Sequence, residues 1–460
     1  MDIYLPYIPQ VISSLLFCAA FTLHICNGNR PRLASALIDC GSMALILARC
    51  IADGGLWPHA LPLLLAWGNV ACVRHGYVCR SSRRQESSVV LLDATQMVML
   101  MTAASTCDYP WASAANAALA TALVLHMAST VATLVIPRMY DVITARKGMS
   151  LLAIAGLISA YVVWKSPCYT PILPFVGGFY YPMTDIAWMA VSLAIACSEK
   201  LYSGADCGHP NDLVPWLPSV LIGLTFSLLG DTAISLSLAT AIFLMLKADG
   251  QPLTRCTSTL LCSSLVAVVT SLLAPNSSLS WRIWALGPLE YFPSLDQRLT
   301  ISATFSGLPL IGSGVGRLSC EMLEAPEGIA WAVSQTCGTF GLAGIIAIVL
   351  ACLAALLTGV REIHANPLTT RAPGCLSVVM GVEMMLSLLT AIGLLPNLSC
   401  RGVAFAGVEG CVVPILQSVC ISITIAFDSF VSESYEGDHT MLRLPPAGTD
   451  GEVFEDEPTA

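Results

Sequence analysis

The chain is short of charge. Of its 460 residues only 11% are Asp, Glu, Lys or Arg, while 55% are hydrophobic; soluble domains carry about 25% charged residues. So few charges do not hold a surface in water, and a single soluble core stops growing at about 250–300 residues. Positive charge is scarcest: 21 Lys and Arg against 30 Asp and Glu give a formal net charge of -9, with a pI of about 5.2. Without a basic stripe there is no footprint for a nucleic acid. No P-loop, HExxH or GxSxG motif occurs, which leaves soluble-type ATPase, zinc protease and serine hydrolase chemistry without support. The 19 cysteines contain no CxxC pair and no Cys/His cluster with zinc spacing, so no metal site is expected. Most of them, such as Cys18, Cys72, Cys262, Cys352 and Cys420, sit in apolar runs, where Cys behaves as a small hydrophobe. The opening MDIYLPYIPQ lacks the basic region of a signal peptide, so the first apolar run is expected to stay as a span.

Long apolar runs are what the chain does have, and its mean hydropathy is +0.74. A helix needs about 20 apolar residues to cross a bilayer. Thirteen candidate runs emerge, at 7–26, 33–52, 56–75, 88–105, 112–136, 149–165, 185–198, 213–229, 231–247, 257–273, 329–358, 374–394 and 411–430. The expected fold is therefore all-α, a polytopic helical membrane protein. With the N-terminus outside, fourteen Lys and Arg fall in inside loops, Arg74 among them, against only Arg49, Lys165 and Arg401 in short outside loops. Positive charge collects on the cytoplasmic side, so this orientation is expected, with the C-terminus in the cytoplasm. The last stretch, 432–460, holds eight acids against Arg443 and reads as a disordered acidic tail.

One segment breaks the hairpin rhythm. Residues 274–328 form an outside loop far longer than usual, and it contains Trp281, Trp284, Tyr291, Phe292 and Phe305. So many aromatics point to a folded cap over an external cavity. The loop also carries Glu290, Asp296, Glu321, Glu324 and Glu327 beside Arg282, Arg298 and Arg317. Arg can hold a pyrophosphate bidentately, and a carboxylate can act as general base on a sugar hydroxyl; a solvated loop with ordinary charges is the plainer reading. The stretch LPLIGSGVG (308–316) has three glycines and resembles a phosphate cradle only weakly. Within spans, Asp39, Asp93, His126, Asp231, Glu383 and Glu409 are ionisable, a costly placement that marks functional or interior-facing groups. Asp39 and Asp93 are expected to pair with neighbouring helices, and Asp231 to cap a helix N-terminus. Glu383 is open to a functional or a structural reading.

Several segments, taken in order, resemble the SEDS family (shape, elongation, division and sporulation; the FtsW/RodA/SpoVE group). They are GFYYPMTDIAWMA (178–190), LLGDTAISL (228–236), WRIWALGP (281–288), LIGSGVG (310–316), EAPEGIAWAV (324–333), FGLAG (340–344), EMMLSLLTAIGLLP (383–396) and VAFAGVEGC (403–411). The resemblance covers about 88–430. It implies a ten-helix core at 81–431 with its large outer loop at 274–328, preceded by three additional helices within 1–80. Members polymerise lipid II, an undecaprenyl-pyrophosphate-linked disaccharide-peptide, beside a class B penicillin-binding transpeptidase in the bacterial plasma membrane. By resemblance, Asp296 or Glu290 is the catalytic base, and Arg282, Asp185, Glu383, Arg298 and Arg317 bind substrate. No organic cofactor is implied; a divalent cation, magnesium or manganese, is the one group the resemblance leaves room for. The chain departs from the family at several places. Asp296 lies about five residues late, the family's His-Thr-Asp run is Pro326, Glu327 and Gly328, and its Ser-Tyr-Gly-Gly run is Gly407, Val408, Glu409 and Gly410. Two other readings stay open: a non-catalytic SEDS-fold scaffold or regulator of wall synthesis, and a solute or lipid transporter with Asp231, Glu383 and Asp93 around a midplane cavity.

Overall fold

Apolar runs satisfy their backbone polar groups by coiling into helices, the economical solution in a low-dielectric medium. The computed structural model describes residues 7–26, 31–52, 64, 67–68, 71, 74, 86–105, 232–248, 250–273, 310–315, 328–365, 372–391 and 395. These residues are helical throughout apart from turns, and among them there is no strand. In chain order the helices are α1 (Tyr7–Cys26), α2 (Pro31–Ala52), α3 (Glu86–Ser105), α4 (Thr232–Ala248), α5 (Leu253–Leu273), α6 (Gly328–Ala365) and α7 (Ala372–Ala391). Four stretches are long and apolar enough to cross a bilayer: Tyr7–Cys26, Pro31–Ala52, Leu253–Thr270 and Thr336–His364. The protein is thus a helical membrane protein by length and composition. The expected spans at 112–136, 149–165, 185–198, 213–229 and 411–430, and the acidic tail, lie outside the described residues.

Contacts between helix ends give the relative directions. Ser87 meets Glu362 and Ser105 meets Thr336, so α3 and α6 run antiparallel. Ser35 meets Asp93 and Arg49 meets Ala104, so α2 and α3 run parallel. The chain therefore crosses back between Ala52 and Glu86, where Leu64, Trp67, Gly68, Ala71 and Arg74 are helical. This corrects one expectation. Arg74 is no loop cation: it is only 4% exposed, held inside the bundle by carboxylates.

One apolar core joins the elements, with Phe17 and Phe21 of α1, Ile38 and Leu45 of α2, Leu91 and Leu92 of α3 and Phe340 of α6 buried in it. Helices in lipid gain little from hydrophobicity and associate by close packing of small residues. At the α6–α7 crossing, a Cβ on Gly359 would lie 2.6 Å from the Gly374 carbonyl oxygen, and one on Gly374 3.0 Å from that of Gly359. Two backbones touch there, and only glycine leaves them room. By contrast α5 turns Leu261 and Leu265 outward, as a lipid-facing helix does.

The two ends of α3 are tied by charged side chains. The Glu362 carboxylate accepts from the Ser87 backbone N–H at 3.1 Å and from its hydroxyl, at the N-terminal first turn of the helix. At the other end the buried Arg49 guanidinium donates to the Ala104 carbonyl at 3.1 Å. Each charge complements the helix dipole at its end.

Candidate functional site

Glycine in α6 breaks that helix. Gly341 has φ 66° and ψ -155°, a conformation open to glycine and strained for other residues, and it frees carbonyls that a continuous helix would bond. The segment 310–315 fills the break. Ser313 N–H donates to the Gly338 carbonyl at 2.9 Å and Gly314 N–H to that of Thr339 at 3.2 Å, while Ala343 N–H donates to Leu310 at 3.4 Å. Gly312 has φ 78°, and a Cβ on it would lie 2.2 Å from the Thr339 carbonyl oxygen. The LIGSGVG and FGLAG stretches, about thirty residues apart in sequence, are thus folded into one junction.

Helix α1 closes this junction. The Tyr7 hydroxyl donates to the Ser313 carbonyl at 2.6 Å. The Gln10 amide nitrogen donates to the carbonyls of Ile311 at 3.1 Å and Thr339 at 2.9 Å, and its oxygen accepts from Val315 N–H at 2.9 Å. Gln10 is 1% exposed, so its three bonds run in a water-poor setting. Such bonds are expensive to leave unmade.

A second polar site lies deeper, about 10 Å along α3 from Glu86. Asp93, fully buried, accepts from Arg74 at 2.7 Å through Oδ1, and from His24 at 3.0 Å and Ser35 at 2.9 Å through Oδ2. A carboxylate only accepts, so His24 Nε2 carries the hydrogen. Asp39 takes the other arm of Arg74, and its Oδ1 accepts from Trp67 Nε1 and Gln96 Nε2, both at 3.1 Å. Gln96 completes the network, accepting from Arg74 at 2.8 Å and donating to Ser42 at 2.8 Å.

Arg74 thus bridges two carboxylates, and every oxygen of both has a donor. Saturated in this way, the network is a tie: it binds α1, α2 and the helical residues around Arg74 to α3. Among the described residues no three His, Cys, Asp or Glu side chains gather as a metal site, and here the guanidinium occupies the place between the carboxylates that a cation would need.

No family model and no curated protein matches this chain. Its reading rests on the residues themselves.

Of the residues expected to act, Asp296, Glu290, Arg282, Asp185, Arg298 and Arg317 lie outside the described residues, as do His126, Asp231 and Glu409. Glu383 is described: it sits on α7, 1% exposed. The bonds of Asp93 run to α1, α2 and Arg74, whereas α3 presents Thr95 to Met380 of α7 at 3.5 Å. Asp39 and Asp93 do pair with neighbouring helices. Sequence reasoning missed Gln10 and His24, a polar residue and an imidazole inside an apolar run; that placement was the available signal.

Proposed function

We propose that the chain is a SEDS-like membrane glycosyltransferase that polymerises lipid II in wall synthesis, during elongation, division or sporulation. The observation that carries this reading is the junction of LIGSGVG with FGLAG at the break in α6. These are two of the segments in which the resemblance consists, and a chance likeness gives no reason for them to pack together. The first also belongs to the outer loop, where the proposed chemistry resides.

In this reading a carboxylate of the loop, Asp296 or Glu290, removes the proton of the acceptor sugar's 4-hydroxyl. The oxygen forms a bond to the anomeric carbon of the donor as the carbon–oxygen bond to the lipid pyrophosphate breaks. Arg282, Arg298 and Arg317 hold the departing pyrophosphate, whose charge grows in the transition state. Asp185 and Glu383 complete the substrate contacts. The base, nucleophile and phosphate contacts are all assigned to side chains and substrate; among the described residues no ligand set for magnesium or manganese stands out. The chain would work in the bacterial plasma membrane, N-terminus outside and acidic tail inside, beside a class B penicillin-binding transpeptidase.

The test is glycan synthesis from fluorescent lipid II by the purified protein, with and without that transpeptidase and with a divalent cation present. Ladders on a gel that vanish in Asp296→Ala or in Glu290→Ala alone support the reading and name the base. Well-folded protein that yields no ladders in any combination would defeat it, and the scaffold reading would take its place. A transporter reading gains nothing from Asp93, whose oxygens are already taken by His24, Ser35 and Arg74.

A further inference from the structure

The first helix stands outside the stretch of family resemblance, yet its side chains bond the segment 310–315. Tyr7 and Gln10 lie near the start of α1, and their partners Ile311, Ser313 and Val315 are more than 300 residues away in sequence. Gln10 also bonds the Thr339 carbonyl at the break in α6. One buried amide therefore joins three pieces of chain: α1, the loop segment and the broken helix. Ring atoms of Tyr7 pack over Gly314, where a Cβ would come within 2.9 Å of them. The segment has few side chains to anchor it: Gly312 and Gly314 are glycines with positive φ, and its own side-chain ties are the Ser313 hydroxyl, which donates to the Gly338 carbonyl at 3.2 Å, and Val315, buried in the core. Most of its hydrogen bonds to the bundle are made by backbone groups, and α1 supplies the side chains that bind three of them, the carbonyls of Ile311 and Ser313 and the Val315 N–H.

We propose that α1 is a clamp on the outer loop, with Gln10 as a positioning residue that pins segment 310–315 into the break of α6. The functional half of this inference rests on the glycosyltransferase reading: a pinned loop meets the lipid-linked donor with its ordering cost already met, so the clamp lowers KM for the donor. The structural half stands without it. The additional N-terminal helices then have a task, for the first of them holds the loop.

The test is hydrogen–deuterium exchange and donor kinetics on the full chain in detergent, comparing wild type with Gln10→Leu and Tyr7→Phe. Gln10→Leu removes both donors and the acceptor at once, so exchange of amides 310–315 is expected to rise about tenfold while α3 keeps its protection. Tyr7→Phe is expected to give a smaller rise at the same amides. KM for the donor rises several-fold in Gln10→Leu; a mere loss of folded protein would lower the yield and leave KM unchanged. Unchanged exchange at 310–315 in folded Gln10→Leu overturns the clamp. If Gln10→Leu loosens the whole bundle, Tyr7→Phe decides: a rise confined to 310–315 upholds the clamp and no rise overturns it. An unaltered KM beside raised exchange overturns its functional half. Wild type that makes no glycan defeats the glycosyltransferase reading, and exchange alone then decides the clamp.

Discussion

Arg74 answers two carboxylates, so its removal leaves Asp93 fully buried and, among the described residues, without a partner of fixed positive charge. Breaking a buried pair from one side costs about 3–5 kcal/mol. Arg74→Met is accordingly expected to lower the thermal midpoint in detergent strongly, read by scanning fluorimetry. Adding Asp93→Asn to Arg74→Met should recover part of the loss, because the carboxylate that remains, Asp39, is partly exposed. A double variant no more stable than the single one would show that Asp93 carries no penalty. This scale was the least legible in sequence. Asp39 and Asp93 stand out as ionisable groups in apolar runs, but Arg74 sits at the end of a run and reads from sequence as a loop cation. Its role appears only when partners 19 and 35 positions away in sequence are folded against it.

Helix α6 shows how an element can outrun its sequence signal. The apolar run ends near 358, where Arg361, Glu362 and His364 begin, yet the helix continues to Ala365. Glu362 accounts for the difference, since its carboxylate is drawn to the first turn of α3. The 24 residues after Gly341 span about 36 Å, enough for a hydrocarbon layer of about 30 Å. The break itself is open to a paired test. Gly250 and Gly312 both have positive φ, but a Cβ on Gly250 would meet nothing within 4 Å, while one on Gly312 would collide with the Thr339 carbonyl. Gly250→Ala should cost only the conformational term, about 1 kcal/mol, and Gly312→Ala clearly more. Protease sensitivity at 310–315 should rise in the second variant alone. Equal midpoints for the two would mean that the packing at the junction contributes little.

For the whole molecule, the relative helix directions constrain the threading. Reporter fusions that fluoresce only in the cytoplasm should be bright after residues 27–30 and 366–371 and dark after 53–55 and within 274–328. That pattern follows from the Lys and Arg bias, and the reverse pattern would sink the orientation and the outer-loop chemistry together. The expected bias does not hang on Arg74, because the other thirteen cations of that count lie in the expected inside loops or, like Arg32, Lys247, Arg255 and Arg361, near the helix ends that flank them.

Hydropathy and length by themselves determined that this is a helical membrane protein, and they located α1, α2, α3, α4, α5 and α7 to within a few residues, because each helix must present about 20 apolar residues to lipid whatever surrounds it. The same local logic marked Asp39, Asp93 and Glu383 as unusual. Which groups meet was decided by tertiary structure alone. Gln10 finds the loop and His24 finds Asp93 only because antiparallel and parallel helices bring distant turns to one depth. In a medium without water, a buried polar group takes whichever partner the packing delivers, and sequence spacing carries no record of that delivery.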